Sequence, residues 1–345
     1  MRRIFFTLLV LLLLVSCTDS SQAENMETAT SQITNISQSE IQLDYFSGKN
    51  FSATIVEDKQ FIYFANNNGV YKQNKDTLRI QHIYSAKNVN QLSTYDDFIY
   101  FVQMDTNEIC RIKKDGTTFE RIYSKTSVGY DQISLAQFNY QIVEDVLYIG
   151  NADGAVCKDL ETNKEKILVD NRGVSAFQTV GNHFYYIDHA ERTFTIYDLN
   201  LKTNETSILL GEGKTEPQKD MIRNFIWIND QLYVYQSAPD RLYCKNRDKS
   251  ESVILIDKDI RDIFCYQNDL YYVVYDNAYT SYLYRYGLKN GNKKVAVLDE
   301  YDLSGVTIVG GYVYYNAGVD IVHDEYGHDL YDYQNSQPTM KQIIG

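Results

Sequence analysis

The sequence predicts an all-β fold made by repetition, and three observations predict it. First, two turn-forming residues followed by an unbroken apolar and tyrosine-rich run, as in Asn268-Asp269-Leu270-Tyr271-Tyr272-Val273-Val274, recur along the chain. Copies stand at Asp96–Phe101, Glu144–Ile149, Asn182–Ile187, Asp230–Val234 and Gly310–Tyr315, with a weaker first copy at Lys59–Phe64. Second, the third residues of these runs (Tyr63, Tyr100, Tyr148, Tyr186, Val234, Tyr272 and Tyr314) are spaced by 37, 48, 38, 48, 38 and 42 residues. Third, the chain holds 31 tyrosines and only three prolines, and beyond its N-terminal region it has no long stretch of helical periodicity.

Periods near 40 residues built from strands and tight turns mark β-propeller blades, each a four-stranded sheet. Seven anchors therefore predict a single β-propeller of seven four-stranded blades across residues 46–345. In the sixth period the expected strands are Asp262–Gln267, Leu270–Tyr275, Ser281–Gly287 and Lys294–Asp299. The first hairpin is expected to turn at Asn268-Asp269 and the last at Asn290-Gly291, both good two-residue hairpin chemistry. Asp115-Gly116, Thr203-Asn204 and Arg247-Asp248 supply the same last turn in other periods. Inner strands of a blade are covered on both faces by neighbouring blades, so they read as continuous apolar runs rather than alternating ones. Tyrosine suits a strand with a buried body and a wet end.

Ahead of the repeats, Arg2 and Arg3 precede a twelve-residue apolar run, Ile4–Val15. That is too short to cross a bilayer as a helix and the right size for the core of a signal peptide. It ends in Leu14-Val15-Ser16-Cys17, which resembles a lipobox, so residues 1–17 are expected to be a lipoprotein signal with Cys17 as the lipidated residue. Two acyl chains on one cysteine hold a protein stably at a membrane. Residues 18–45 are expected to be a flexible tether: Thr18 to Glu40 is rich in Ser, Thr, Gln, Asn and Glu and cannot bury enough surface to offset its ordering entropy. A coil of this length reaches roughly 25–30 Å. Ile41–Phe46 reads as a first strand.

The net charge is −13, which with no basic stripe argues against nucleic acid. An acidic body is repelled by anionic lipid, so membrane contact is expected through Cys17 alone, with the protein monomeric on the extracytoplasmic side. The low-proline, Asn-, Lys- and Ile-rich composition suggests an AT-rich, Gram-positive genome. Cys110, Cys157 and Cys244 are expected at one equivalent third-strand position, filled elsewhere by Tyr71, Tyr197, Tyr284 and Tyr331, and Cys265 in a first strand. Equivalent positions in different blades lie too far apart to bridge, so no disulfide is expected, and no paired Cys/His spacing points to zinc. No cofactor is expected.

Runs of the form apolar-Tyr-apolar, a short loop, Ile109-Cys110-Arg111 or Leu283-Tyr284-Arg285, and then Asp-Gly or Asn-Gly resemble YWTD-type propellers of lipoprotein receptors. More closely they resemble bacterial surface lipoproteins carrying a receptor-related propeller of unknown function, a likeness covering about residues 51–345. It implies the fold and leaves activity open. The anchor departs from that pattern in lacking Trp, with Phe101, Ile149, Ile187 and Val273 in its place.

Three constellations reach beyond structure. Asp105, Asp153, Asp188, Asp240, Asp276 and Asp324 fall in loops between second and third strands, where Asp ordinarily makes turns. Lined up around one face, they would form an acidic rim for a cation or a basic partner. The longest such loop, 317–327, carries His323-Asp324-Glu325 with His328 after it, and loop edges hold Asn66-Asn67-Asn68 and Tyr275-Asp276-Asn277. Aromatic and amide groups at a mouth suit sugars or peptides. No Gly-x-Ser-x-Gly elbow, His-Glu-x-x-His motif or phosphate loop is present. Lys114–Phe119 is only superficially like a sialidase Asp box. The expectation is a non-enzymatic binder of a protein, peptide or glycan, acting as sensor, receptor or scaffold. The alternative is a surface hydrolase or lyase acting on cell-wall or host glycans with carboxylates drawn from different blades.

Overall fold

A computed structural model describes residues 55–66, 68–87, 89–103, 105–124, 139–151, 153–188, 195–211, 221–237, 240–246, 252–256, 260–275, 280–287, 291–298, 304–316, 320–323, 329–332 and 338–342. The signal sequence with Cys17, the tether and the expected strand Ile41–Phe46 lie outside the described residues.

Six four-stranded antiparallel meanders follow one another. Blade 1 is β1 (Ile55–Glu57), β2 (Phe61–Asn66), β3 (Gly69–Asn74) and β4 (Ile80–Ser85); blade 2 is β5 (Val89–Tyr95), β6 (Phe98–Gln103), β7 (Glu108–Lys113) and β8 (Phe119–Ser124). Blade 3 is β9 (Asn139–Val143), β10 (Val146–Asn151), β11 (Gly154–Asp159) and β12 (Glu165–Asp170); blade 4 is β13 (Val174–Val180), β14 (His183–Asp188), β15 (Thr195–Asn200) and β16 (Thr206–Leu210). Blade 5 is β17 (Met221–Ile228), β18 (Gln231–Ser237), β19 (Arg241–Asn246) and β20 (Ser252–Ile256); blade 6 is β21 (Ile260–Tyr266), β22 (Asp269–Tyr275), β23 (Ser281–Gly287) and β24 (Gly291–Leu298).

The expectation of seven four-stranded blades is corrected to six. In the seventh copy β25 (Ser304–Val309) and β26 (Tyr312–Asn316) are followed by a separate hairpin of β27 (Asp320–His323) and β28 (Asp329–Asp332). The strand paired with β26 is β29 (Pro338–Gln342), in register Tyr314↔Met340, giving a three-stranded sheet. The long connection after β26 pairs with itself, Ile321↔Tyr331, instead of adding to the sheet. Tyr331 therefore sits in that hairpin and not in a third strand.

The core is divided by junction. Six hydrophobic clusters each join one blade to the next: 1 to 2, 2 to 3, 3 to 4, 4 to 5, 5 to 6, and 6 to the seventh sheet. Second strands serve two clusters at once, as sheet alternation requires. Tyr271 faces forward into the cluster shared with the seventh sheet, and Tyr272 faces back into the one shared with blade 5.

Pairing registers refine the repeat. The forward-facing residue is Tyr63, Tyr100, Tyr148, Tyr185, Tyr233 or Tyr271, all at most 8% exposed. In blades 4 to 6 the equivalent of Tyr148 is thus one residue earlier than Tyr186, Val234 and Tyr272. The cysteines shift likewise. Cys110 pairs with Phe101 and faces back toward blade 1, whereas Cys157 pairs with Tyr148 and Cys244 with Tyr233, facing forward. They are not equivalent to Cys110, because a one-residue step turns a strand side chain to the opposite face. All four described cysteines are free thiols.

A bulge recurs between third and fourth strands of all six blades. The extra residue on the outer strand is always aliphatic: Ile83, Ile122, Leu168, Leu209, Leu255 or Val295. Each packs into the forward junction. A bulge re-aims a side chain, so an otherwise exposed outer strand contributes one anchor to the next blade.

Side chains also satisfy the inner strand edges. Thr179 N donates to Gln141 Oε1 (2.8 Å) and Trp227 N to Gln178 Oε1 (2.7 Å), each reaching back to the preceding blade. Asn224 Nδ2 donates to Ile263 O at 3.4 Å. Tyr140 of blade 3 donates to Gln91 O and receives Ser93 Oγ at 3.0 Å. At the closure, Gly310 N (3.0 Å) and Tyr266 OH (3.2 Å) donate to Glu57 Oε1 in β1, while Lys75 Nζ lies 2.5 Å from Glu57 Oε2.

Turn chemistry follows the twist. Glu144-Asp145, Asn229-Asp230, Gln267-Asn268 and Gly310-Gly311 all have positive φ at both central residues, the type I′ geometry that suits two-residue hairpins. The blade 6 turn is therefore Gln267-Asn268, one residue before the expected pair. Outer turns at Asn163 (φ 59°) and Asn204 (φ 62°) place Asn in the left-handed region, but blade 1 places Leu78 there (φ 57°), 68% exposed. Replacing Leu78→Asn removes that strain, and urea melts should show a gain of about 1 kcal/mol. Gly154 (φ 148°) would carry a Cβ 2.1 Å from Val169 O, so Gly154→Ala should lose about 3 kcal/mol or more in the same melts.

Candidate functional site

In an antiparallel meander the second-to-third loop and the start of the first strand lie at the same end of the blade. One face of the fold therefore gathers both sets of residues, and the expected aspartates belong to the first set. Asp105 is exposed in the turn between β6 and β7. Asp153 is exposed beside Gly154, its N–H bonded to Asn151 Oδ1 at 2.8 Å. Asp188 ends β14 and is buried, its Oδ2 3.2 Å from Arg172 Nη1. Asp240 is half-buried and accepts from Tyr235 OH at 3.2 Å. Asp276 and Asp324 lie outside the described residues, as do Glu325 and His328. Among the described residues no three His, Cys, Asp or Glu side chains converge as a metal site would require.

The same face carries arginines that reading by strand and loop passed over. Arg172 precedes β13, and Arg241 opens β19. Arg223 and Arg261 are the extra residues of bulges in the first strands of blades 5 and 6, between Ile222 and Asn224 and between Ile260 and Asp262. Both are exposed. Arg223 Nε donates to Ser237 Oγ at 2.7 Å, and the Arg261 guanidinium lies over the Tyr275 ring, 4.9 Å from its centroid. Asn224 Oδ1 accepts from Phe225 N at 2.7 Å and Asp262 Oδ1 from Ile263 N at 2.9 Å, so both bulges are held by the residue after the arginine. The signal was available as Ile222-Arg223-Asn224 and Ile260-Arg261-Asp262 in adjacent repeats. The acidic rim becomes a face on which Arg172, Arg223, Arg241 and Arg261 stand with Asp105, Asp153, Asp188 and Asp240.

Burial sets the titration here. The Tyr235 hydroxyl is pushed up by burial and by Asp240, against the opposing pull of Arg223 and Arg261. Burial pushes Tyr148 up to about 12 and Tyr186 up to about 12; Asp188 adds to the second shift and Arg172 opposes it. Burial likewise pushes the Cys110 thiol up to about 12, which keeps it unreactive at neutral pH.

No family model and no curated protein matches the sequence. Solved structures do match in fold. PorZ, a surface component of the type-IX secretion system of Porphyromonas gingivalis, aligns with a TM-score of 0.50 at 12% identity over 80% of this chain, which spans 42% of PorZ. The tricorn protease aligns with a TM-score of 0.54 at 11% identity, over 86% of this chain and 35% of the protease. The extracellular domain of a hybrid two-component system of B. thetaiotaomicron aligns at 0.51 and 12% identity, over 77% of this chain and 38% of that one. At such identities the likeness establishes the fold, a single β-propeller with four-stranded blades, and nothing of activity.

The raised tyrosines fix the alkaline limit. An unfolded tyrosine ionises near 10, whereas Tyr148 and Tyr186 stay neutral in the fold to about 12. Above about 10 the unfolded state has lost protons that the folded state keeps, so stability falls as pH rises. Urea melts at stepped pH should show a constant midpoint from about 7 to 9 and a decline between about 10 and 12, with phenolate absorbance appearing together with unfolding.

Proposed function

We propose that the chain is a lipid-anchored, extracytoplasmic β-propeller lipoprotein that binds a ligand or protein partner without transforming it, as a sensor, receptor or scaffold. The observation that carries this reading is the division of labour between junctions and face. Tyrosines, aliphatic bulge residues and amide side chains repeat from blade to blade and are consumed in packing. The blades differ at one end, where Asp and Arg side chains collect on rigid strand ends. The buried carboxylate there is held by Arg172 and the half-buried one by a tyrosine hydroxyl, an arrangement suited to a shaped polar surface rather than to a pair of acids poised for proton transfer.

The anchor is Cys17, the tether 18–45 carries the propeller off the membrane, and the protein is a monomer of a Gram-positive surface. The resemblance to receptor-related YWTD-like propellers gains from the corrected register. Tyrosine stands at the equivalent second-strand position in all six blades, followed by Phe64, Phe101, Ile149, Tyr186, Val234 or Tyr272 where that pattern has Trp.

Cys17→Ser should move the protein from the membrane to the soluble fraction and abolish labelling by radioactive palmitate; labelling that survives the substitution contradicts the anchor. For binding, the full-length protein in uncharged detergent should retain a partner from native surface extracts. Asp105→Lys with Asp153→Lys on the loop face should cut retention at least about tenfold, a free-energy change of about 1.4 kcal/mol. Asp76→Lys with Asp115→Lys in outer turns at the opposite end should leave it unchanged. No retention, together with turnover of a purified cell-wall glycan, would overturn the reading in favour of a hydrolase or lyase.

A further inference from the structure

We propose that the loop face at the junction of blades 5 and 6 is an oxyanion site, in which Arg223 and Arg261 together receive a carboxylate or phosphoryl group. The inference rests on the loop face being a binding surface and names the chemistry it takes. Arg223 and Arg261 occupy the same structural position one blade apart, each the extra residue of a first-strand bulge. The two strands are neighbours: Asn224, next to Arg223, donates across the junction to Ile263 O. Both bulges turn their arginine out to solvent while the flanking Ile222 and Ile260 remain buried.

Each guanidinium is also oriented. Arg223 is held through Nε by Ser237, and Arg261 is laid on the Tyr275 ring. A planar fork fixed in this way suits carboxylate or phosphate geometry. Arg241 opens β19 on the same side of blade 5. The described carboxylates closest in the chain are Asp240, which accepts from Tyr235, and Asp262, whose Oδ1 accepts from Ile263 N. Both arginines act electrostatically on the Tyr235 hydroxyl, which places their charges around one spot. Like charges gathered on an acidic protein repel one another, and an anionic ligand removes that repulsion. In blades 2 and 4 the corresponding bulges hold Gln91 with Leu92 and Ser175, so the paired cations are a property of this junction and not of the repeat.

The test is calorimetric titration of the full-length protein in uncharged detergent with two probes, inorganic phosphate and a hexaglutamate peptide. At least one should bind saturably, with affinity falling at least about tenfold in Arg223→Gln and in Arg261→Gln. Arg79→Gln, in an outer turn at the opposite end, should bind as the wild type does. Binding of phosphate alone assigns a phosphoryl ligand; binding of hexaglutamate alone assigns carboxylates. Absence of binding by both probes, or binding that neither substitution weakens, overturns the site. Melting temperatures of the variants should match the wild type, since both side chains are exposed. The two readings fail separately. Partner retention that survives both substitutions removes the oxyanion site and leaves the binding surface standing. Probe binding lost in both variants, with no partner retained, does the reverse.

Discussion

Everything in this fold depends on a second strand that must be covered on both of its faces. No single blade can do that, because a four-stranded sheet has no second layer of its own. The forward-facing tyrosine of each blade and the backward-facing residue beside it, such as Tyr271 and Tyr272, therefore commit the strand to two different neighbours. The same logic explains the recurrent outer bulge, which recruits an aliphatic residue such as Ile122 to the forward junction from a strand that is otherwise exposed. It also explains the buried amides. An inner strand edge exposes N–H groups that need partners, and Gln141 and Gln178 supply them from the blade before.

A ring assembled this way must close, and the closing contact is polar. Glu57, in the first described strand, accepts hydrogen bonds from Gly310 of the seventh sheet and Tyr266 of blade 6, with Lys75 balancing its charge. A half-buried carboxylate fixed by several donors gives a contact whose geometry is specified more tightly than aliphatic packing alone would specify it. With the junctions consuming the repeated residues, variation is left to the strand ends, where the loop-face Asp and Arg side chains stand.

The repeat, its period and the two-faced inner strands were legible in the sequence, because continuous apolar runs and turn pairs survive as patterns. Register was not. The step between Tyr185 and Tyr186, and between Cys110 and the forward-facing Cys157 and Cys244, is invisible to a pattern that accepts either of two adjacent residues. The seventh copy misled for a different reason: its anchor Tyr312–Tyr315 looks like the others, while the pairing of β27 with β28 is decided by a long connection folding on itself. At the candidate site the aspartates were found because Asp marks turns. The arginines of the bulges were missed because a bulge is a feature of pairing between two strands, and Ile222-Arg223-Asn224 shows it only when set beside Ile260-Arg261-Asp262.

The central claim is that junctions, rather than blades, are the units that hold the ring together. Hydrogen exchange of Tyr271→Ala tests it most directly, since this side chain belongs to blade 6 yet packs in the cluster shared with the seventh sheet. Loss of a buried aromatic costs about 3–5 kcal/mol. The account predicts that β25 and β26 lose protection together with β22, although the substitution lies in β22 alone. Loss of protection confined to blade 6, with the seventh sheet exchanging as in the wild type, would contradict it.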